Sequence, residues 1–69
     1  MKVTFIKSLL EKDRATVEVN KIRIHANFMW VDNQTMATKL PNNSWILSDY
    51  FKEQHPEIGF ETFSHIDME

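Results

Sequence analysis

The chain has 69 residues, 42% hydrophobic and 12% aromatic, with a formal net charge of −2 and no cysteine. That length makes one domain, 1–69, which buries only ~60% of the surface its unfolded form exposes. The absence of cysteine excludes disulfides and thiolate zinc or iron–sulfur sites, so packing must supply the stability.

The chain opens Met1-Lys2-Val3-Thr4-Phe5, without the apolar core of a leader, and no apolar run approaches the ~20 residues that span a bilayer. The expectation is a soluble, cytoplasmic protein. Over residues 2–10 two patterns compete. Val3 and Phe5 alternate with Lys2 and Thr4 as in a strand, while Phe5, Ile6, Leu9 and Leu10 would also line one side of a helix. The β-rich Lys-Val-Thr-Phe-Ile run favours a strand, with Glu11-Lys12-Asp13-Arg14 as a polar turn after it.

A hairpin about Asn20-Lys21 is the clearest local pattern. A two-residue turn there sets Val19 opposite Ile22, Val17 opposite Ile24 and Ala15 opposite Ala26 on one apolar face. On the other face Glu18 meets Arg23 and Thr16 meets His25. Asn20 tolerates the positive φ that a type I′ turn needs. The second strand is expected to run on through Phe28-Met29-Trp30-Val31 to turn chemistry at Asp32-Asn33. Thr35–Leu40 then returns, and a three-residue loop would set Trp30 near Met36 and Ala26 near Leu40.

Pro41-Asn42-Asn43-Ser44 reads as a helix entrance. The helix is expected over Trp45–Gln54, pairing Ile46 with Tyr50 and Leu47 with Phe51, and Pro56 stops it at His55. Trp45 and Tyr50 are expected in the core. Ile58–Phe63 reads as a final strand. The fold class is α+β: an antiparallel β-meander of about four strands, one helix packed on one sheet face, and a last strand.

Chemistry-bearing patterns are sparse. His25, His55 and His65 are the only soft ligands, and His65-Ile66-Asp67 sets an imidazole and a carboxylate on one side of an extended strand. Scattered imidazoles without helical or tight spacing are ordinarily surface residues. Ser8, Ser44, Ser48 and Ser64 lie in no strand–turn–helix elbow, and the lone Gly59 excludes a glycine-rich phosphate cradle. The expectation is therefore no enzyme, no cofactor and no metal. Asn33-Gln34-Thr35 and Asn42-Asn43-Ser44 match the glycosylation triplet by chance in turn-rich segments.

A partner surface is the remaining class, and two features point to it. Alternation sends Phe28 and Trp30 to one sheet face and Met29 and Val31 to the other. Either one pair meets a partner, or the sheet curls and makes both faces core; Met29 and Trp30 are the candidate contacts. Charge is also uneven. Lys2, Lys7, Lys12, Arg14, Lys21, Arg23 and Lys39 face Glu11, Asp13, Glu18 and Asp32 in residues 1–40, a net +3. Residues 41–69 hold Lys52 alone against Asp49, Glu53, Glu57, Glu61, Asp67 and Glu69, a net −5. Asp49, Glu53, Glu57 and Glu61 would steer a basic partner.

The expected function is a small non-enzymatic interaction protein that binds another macromolecule, most plausibly a protein. One form would be a phage- or mobile-element-encoded inhibitor of a host factor. Unblunted sheet edges add a homodimer to the expectations. The alternative is a small nucleic-acid-binding regulator using Lys21, Arg23 and Trp30 as a stacking platform.

Overall fold

A computed structural model describes residues 1–8 and 13–69. The strands are β1 (Lys2–Ile6), β2 (Arg14–Glu18), β3 (Ile22–His25), β4 (Phe28–Val31), β5 (Gln34–Lys39) and β6 (Trp45–Leu47). The helix α1 (Asp49–Gln54) follows, then β7 (Thr62–Phe63) and β8 (His65–Met68). All pairings are antiparallel, in a sheet ordered β2-β1-β8 and another ordered β3-β4-β5-β6-β7. The fold is thus mostly antiparallel sheet with one short helix, in two sheets where the sequence suggests a single meander.

The strand expected at the start of the chain is β1. Leu9, Leu10, Glu11 and Lys12, the rest of the helical alternative and half of the expected turn, lie outside the described residues. Thr4 and Thr16 share a hydroxyl–hydroxyl bond of 2.9 Å on the open side of β1 and β2, while Val3 and Phe5 turn inward to full burial.

Two short junctions carry the chain between sheets. Val19 to Lys21 separate β2 from β3, and Ser64 alone separates β7 from β8. Val19 N–H donates to Met1 O (2.9 Å), prolonging the β1–β2 ladder, and Asp32 N–H donates to Lys21 O (3.0 Å), prolonging β3–β4. Ser64 N–H donates to Ile6 O (2.9 Å), so β8 settles against β1 as soon as β7 leaves β6. Strands that change sheets at a bend close the corners of such a fold.

The hairpin expected about Asn20-Lys21 therefore does not form. Val17 pairs with Val3 and Ala15 with Phe5, whereas Ile22 pairs with Val31 and Ile24 with Met29. Asn20 is not among the residues with positive φ, so the type I′ turn is not made. The Asp32 carboxylate takes the Lys21 N–H instead, at 2.9 Å. Matching alternation on consecutive strands is a property of each strand's burial, and it does not require the two to pair. Val17 and Val19 are core, Ile22 is half-buried, and Ile24 is 50% exposed, where the sequence reading has it buried.

The strand expected to continue through Ala26 breaks there. His25 pairs with Phe28 across a two-residue turn, Ala26-Asn27, with Ala26 at φ 54°. The next turn is the expected Asp32-Asn33, but it too is a two-residue turn, with φ 51° and 71°. Positive φ at both centres is the type I′ requirement, which Asp and Asn meet best after Gly. The β4–β5 register runs Val31–Gln34 and Trp30–Thr35, then shifts to Met29–Ala37 and Phe28–Thr38. Met36 is the extra residue of this bulge, which lets the consecutive Met36 and Ala37 both be fully buried. Trp30 thus lies across from Thr35, not Met36, whereas the pairing beyond the bulge, carried on by the Lys39 N–H donating to Asn27 O at 2.8 Å, has the register expected for Ala26 and Leu40.

Pro41–Ser44 is a chain reversal, where the sequence suggests a helix entrance. Leu40 N–H donates to Ser44 O (2.7 Å), Asn43 N–H donates to Leu40 O (3.0 Å), and Asn43 takes φ 67°. Trp45–Leu47 consequently runs back beside β5 as a strand with alternating burial. The helix starts only at Asp49, where Ser48 caps it by accepting the Phe51 N–H at 3.2 Å. It ends at His55, before Pro56, as the sequence suggests. The expected strand over Ile58–Phe63 is shorter: Ile58 is a buried loop residue, and pairing begins at Thr62.

Side chains from both sheets, the helix and the Ile58 loop fill one core, with Phe5, Phe63, Met29, Met36 and Val3 fully enclosed. Phe5 meets Phe51 edge-on at 5.9 Å and Phe63 at 5.1 Å, which joins the helix to β1 and β7. No helix of the described residues is long and apolar enough to cross a membrane.

Candidate binding face

The five-stranded sheet has one face on the core and one facing outward. Cross-strand register lines up His25, Phe28, Thr38, Ile46 and Thr62 in a single row over all five strands. Beside it a shorter row holds Arg23, Trp30 and Thr35. Phe28 remains 42% exposed and Ile46 38%, and Trp30 is half-buried. A sheet face turned to water ordinarily carries polar residues, so the apolar members of this row stand out.

Trp30 is held between two neighbours. The Phe28 ring lies 5.8 Å from it, and the Arg23 guanidinium carbon lies 4.9 Å from its centroid. A cation over an indole face is attracted by the ring quadrupole, which also stiffens both side chains. Arg23, Ile24, His25 and Trp30 line an open groove of about 480 Å³ along β3. Lys21 extends the alternation of Arg23 and His25, so Lys21, Arg23 and Trp30 fall on one surface.

Met29 is not a contact residue: it is fully buried, on the core side of β4 with Val31. The structure adds Phe28, Ile46 and His25 to the face, while Ile24, paired with Met29, lies on the opposite side at the sheet edge. Phe28 was legible from its alternation with Trp30, whereas Ile46 was hidden by reading Trp45–Leu47 as helix. Trp45 is in the core, but on β6, and Tyr50 is 49% exposed beside Gln34, Thr35 and Ser48, not in the core.

The acidic residues are dispersed over three segments: Asp49 and Glu53 on α1, Glu57 in the following loop, and Glu61 just before β7. Lys52 Nζ stands between two of them, 3.5 Å from Asp49 and 3.3 Å from Glu61. Its hydrogen bond to Glu61, helped by the two negative charges and opposed by desolvation, raises the Lys52 pKa above its ordinary value. Glu57 accepts or shares a proton with His55 Nδ1 at 3.1 Å. A bond from its own backbone N–H, and then the His55 contact, hold its carboxyl below the usual range. Local partners therefore meet three of the four carboxylates.

His25 is on β3 and His65 on β8, in different sheets, and His65 Nδ1 lies 2.7 Å from Ser64 Oγ. Among the described residues no three His, Asp or Glu side chains gather as a metal site, and no polar side chain is buried. No family model matches the chain, and neither a curated protein nor a solved structure is significantly similar to it.

Proposed function

We propose that this chain is a small non-enzymatic binding module whose partner is another protein, engaged by the outward face of the five-stranded sheet. The observation that carries this reading is the row through His25, Phe28, Thr38, Ile46 and Thr62, flanked by Arg23 and Trp30. Aromatic residues and Arg are enriched where proteins meet, and a few pre-ordered anchors supply most of the binding energy. Blocking a host factor on behalf of a phage or mobile element is one biological form such a module would take.

Contact through Asp49, Glu53, Glu57 and Glu61 is less favoured, because Lys52 and His55 already meet three of them. Nucleic-acid binding by Lys21, Arg23 and Trp30 is the second reading, favoured by the Arg23–Trp30 stack. Stacking of single-stranded bases needs exposed ring faces and several phosphate contacts, and here one indole face is already covered by Arg23.

Capture experiments with the parent and with Phe28→Ser/Ile46→Ser, each with and without nuclease, separate the readings. A protein retained through nuclease by the parent and lost by the variant supports the proposal. Binding that disappears with nuclease overturns it in favour of nucleic acid.

A further inference from the structure

β3 ends its sheet, paired only with β4. Hydrogen-bonded pairs alternate along an antiparallel ladder, and a two-residue turn makes the pair flanking it one of them. His25–Phe28 is that pair, Arg23–Trp30 is the next, and Lys21–Asp32 follows, as the 3.0 Å bond from Asp32 N–H to Lys21 O requires. The backbone N–H and C=O of Ile22 and Ile24 therefore project off the free edge.

The other sheet ends are short or carry charges free of any ring, whereas the one charge of β3, Arg23, lies over the Trp30 ring. β2 carries Arg14 and Glu18, β7 is two residues long, and β8 carries Asp67. Charges and short length are the usual protections of an edge, as are Pro and Lys. Ile22–His25 contains neither Pro nor Lys, and it presents Ile24 at 50% exposure. The groove lined by Arg23, Ile24, His25 and Trp30 takes residues from both faces of this one strand, which places it alongside the strand's own edge.

Resting on the protein-binding reading above, we infer that β3 is a strand-addition site for an extended segment of the partner that alternates apolar and acidic residues. The segment pairs with the Ile22 and Ile24 backbone groups. Its apolar side chains lie along Ile22 and Ile24, and its carboxylates lie along Arg23 and His25. Arg23 uses its π face on Trp30, which leaves the N–H groups around its rim for a carboxylate. None of the salt bridges of the described residues involves Arg23. The segment is not a second copy of β3, because pairing two copies would bring Arg23 and His25 of both onto one face with no anion between them.

The test uses a short peptide of alternating Val and Glu, with the alternating Val and Lys peptide and a single-stranded oligothymidylate as comparisons, on the full chain at neutral pH. Binding is followed by the fluorescence of Trp30 and Trp45 together and by amide hydrogen exchange. The Val/Glu peptide is expected to slow exchange at Ile22 and Ile24 by roughly tenfold near saturation. Ile24→Pro removes an edge donor without removing a β4 bond, a position where strands tolerate Pro, and should weaken binding roughly tenfold or more. Ile24→Glu, which keeps the backbone and sets a like charge against the Val/Glu peptide, should do the same if the Pro variant does not fold.

Equal binding of the Val/Lys peptide overturns the inference, as does unchanged exchange at Ile22 and Ile24. So does protection of those amides in the parent alone as concentration rises, which would make the occupant a second copy. Oligothymidylate binding in place of the peptide overturns both this inference and the reading beneath it. If Ile24→Pro retains the captured protein while Phe28→Ser/Ile46→Ser loses it, strand addition falls and the binding face stands.

Discussion

Asp32 and Lys21 are tied twice: the Asp32 N–H donates to Lys21 O at 3.0 Å, and the Asp32 carboxylate accepts the Lys21 N–H at 2.9 Å. One residue therefore both turns the chain between β4 and β5 and holds the start of β3 in its ladder. Asp32→Gly keeps the positive φ and removes the carboxylate, and should cost about 1 kcal/mol. Asp32→Val also places a β-branched side chain at φ 51° and should cost roughly 1–2 kcal/mol more. Urea midpoints at constant slope check both, and equal midpoints for the two variants would show that the backbone conformation at Asp32 carries no strain.

Ile24 and Phe5 give opposite expectations for apolar truncation. Ile24 is half-exposed on an edge strand, whereas Phe5 is fully buried against Phe51 and Phe63. Ile24→Ala should cost less than about 1.5 kcal/mol, since much of its surface is already in water. Phe5→Ala should cost ~3–5 kcal/mol, much of what a domain this small possesses. Thermal unfolding ranks them directly, and an Ile24→Ala loss comparable with that of Phe5→Ala would mean that β3 packs inward in solution.

The Ala26-Asn27 turn carries a removable strain. Ala26 holds φ 54°, a region where Cβ crowds the following carbonyl by roughly 1–2 kcal/mol. Glycine relieves that crowding but loses more freedom on folding, by about 0.4–1 kcal/mol. Ala26→Gly should therefore be neutral to about 1 kcal/mol stabilising, an uncommon sign for a substitution to glycine outside a charged site. A lowered melting temperature would count against the turn geometry.

What the sequence made legible follows from how local each signal is. The β1 strand, the Asp32-Asn33 turn and the helix stop before Pro56 depend on residues adjacent in the chain, and each is where the pattern puts it. Pairing is not local. Val17 and Ile24 each alternate correctly, yet they pair with Val3 and Met29, because the bend between β2 and β3 sends consecutive strands into different sheets. The two-residue length of the Asp32-Asn33 turn sets Trp30 opposite Thr35, and the bulge at Met36, which likewise has no local signature, then shifts Met29 opposite Ala37. Trp45–Leu47 suited either period because a three-residue apolar run has no period of its own, and the Leu40–Ser44 reversal decided the matter. On the outward face of the five-stranded sheet, Trp30 was legible through alternation, while Ile46 became visible only once β6 was known to be a strand.

Lys52 gives the acidic third a testable pH dependence. Its ammonium links Asp49 on the helix to Glu61 at the approach to β7, and the Glu61 hydrogen bond leads in raising its pKa. A pKa that is higher in the folded state means a contribution fully present below the unfolded lysine value, ~10.4, and lost as pH climbs through the raised value. Lys52→Met keeps the apolar stem and removes the charge. The parent should therefore lose stability relative to Lys52→Met as pH rises through that window, while the two profiles run parallel between neutrality and the window's lower edge. Taking the difference cancels every contribution that the two proteins share. Added salt should shrink the gap at neutral pH, because every partner in this cluster is reachable by counterions. The same variant bares Asp49 and Glu61, so a cationic probe such as oligolysine should associate faster with it at low salt than with the parent. Profiles that stay parallel through the alkaline window would show that the Asp49–Lys52–Glu61 link contributes nothing to the fold, and an unchanged oligolysine rate would show that the acidic third does no steering.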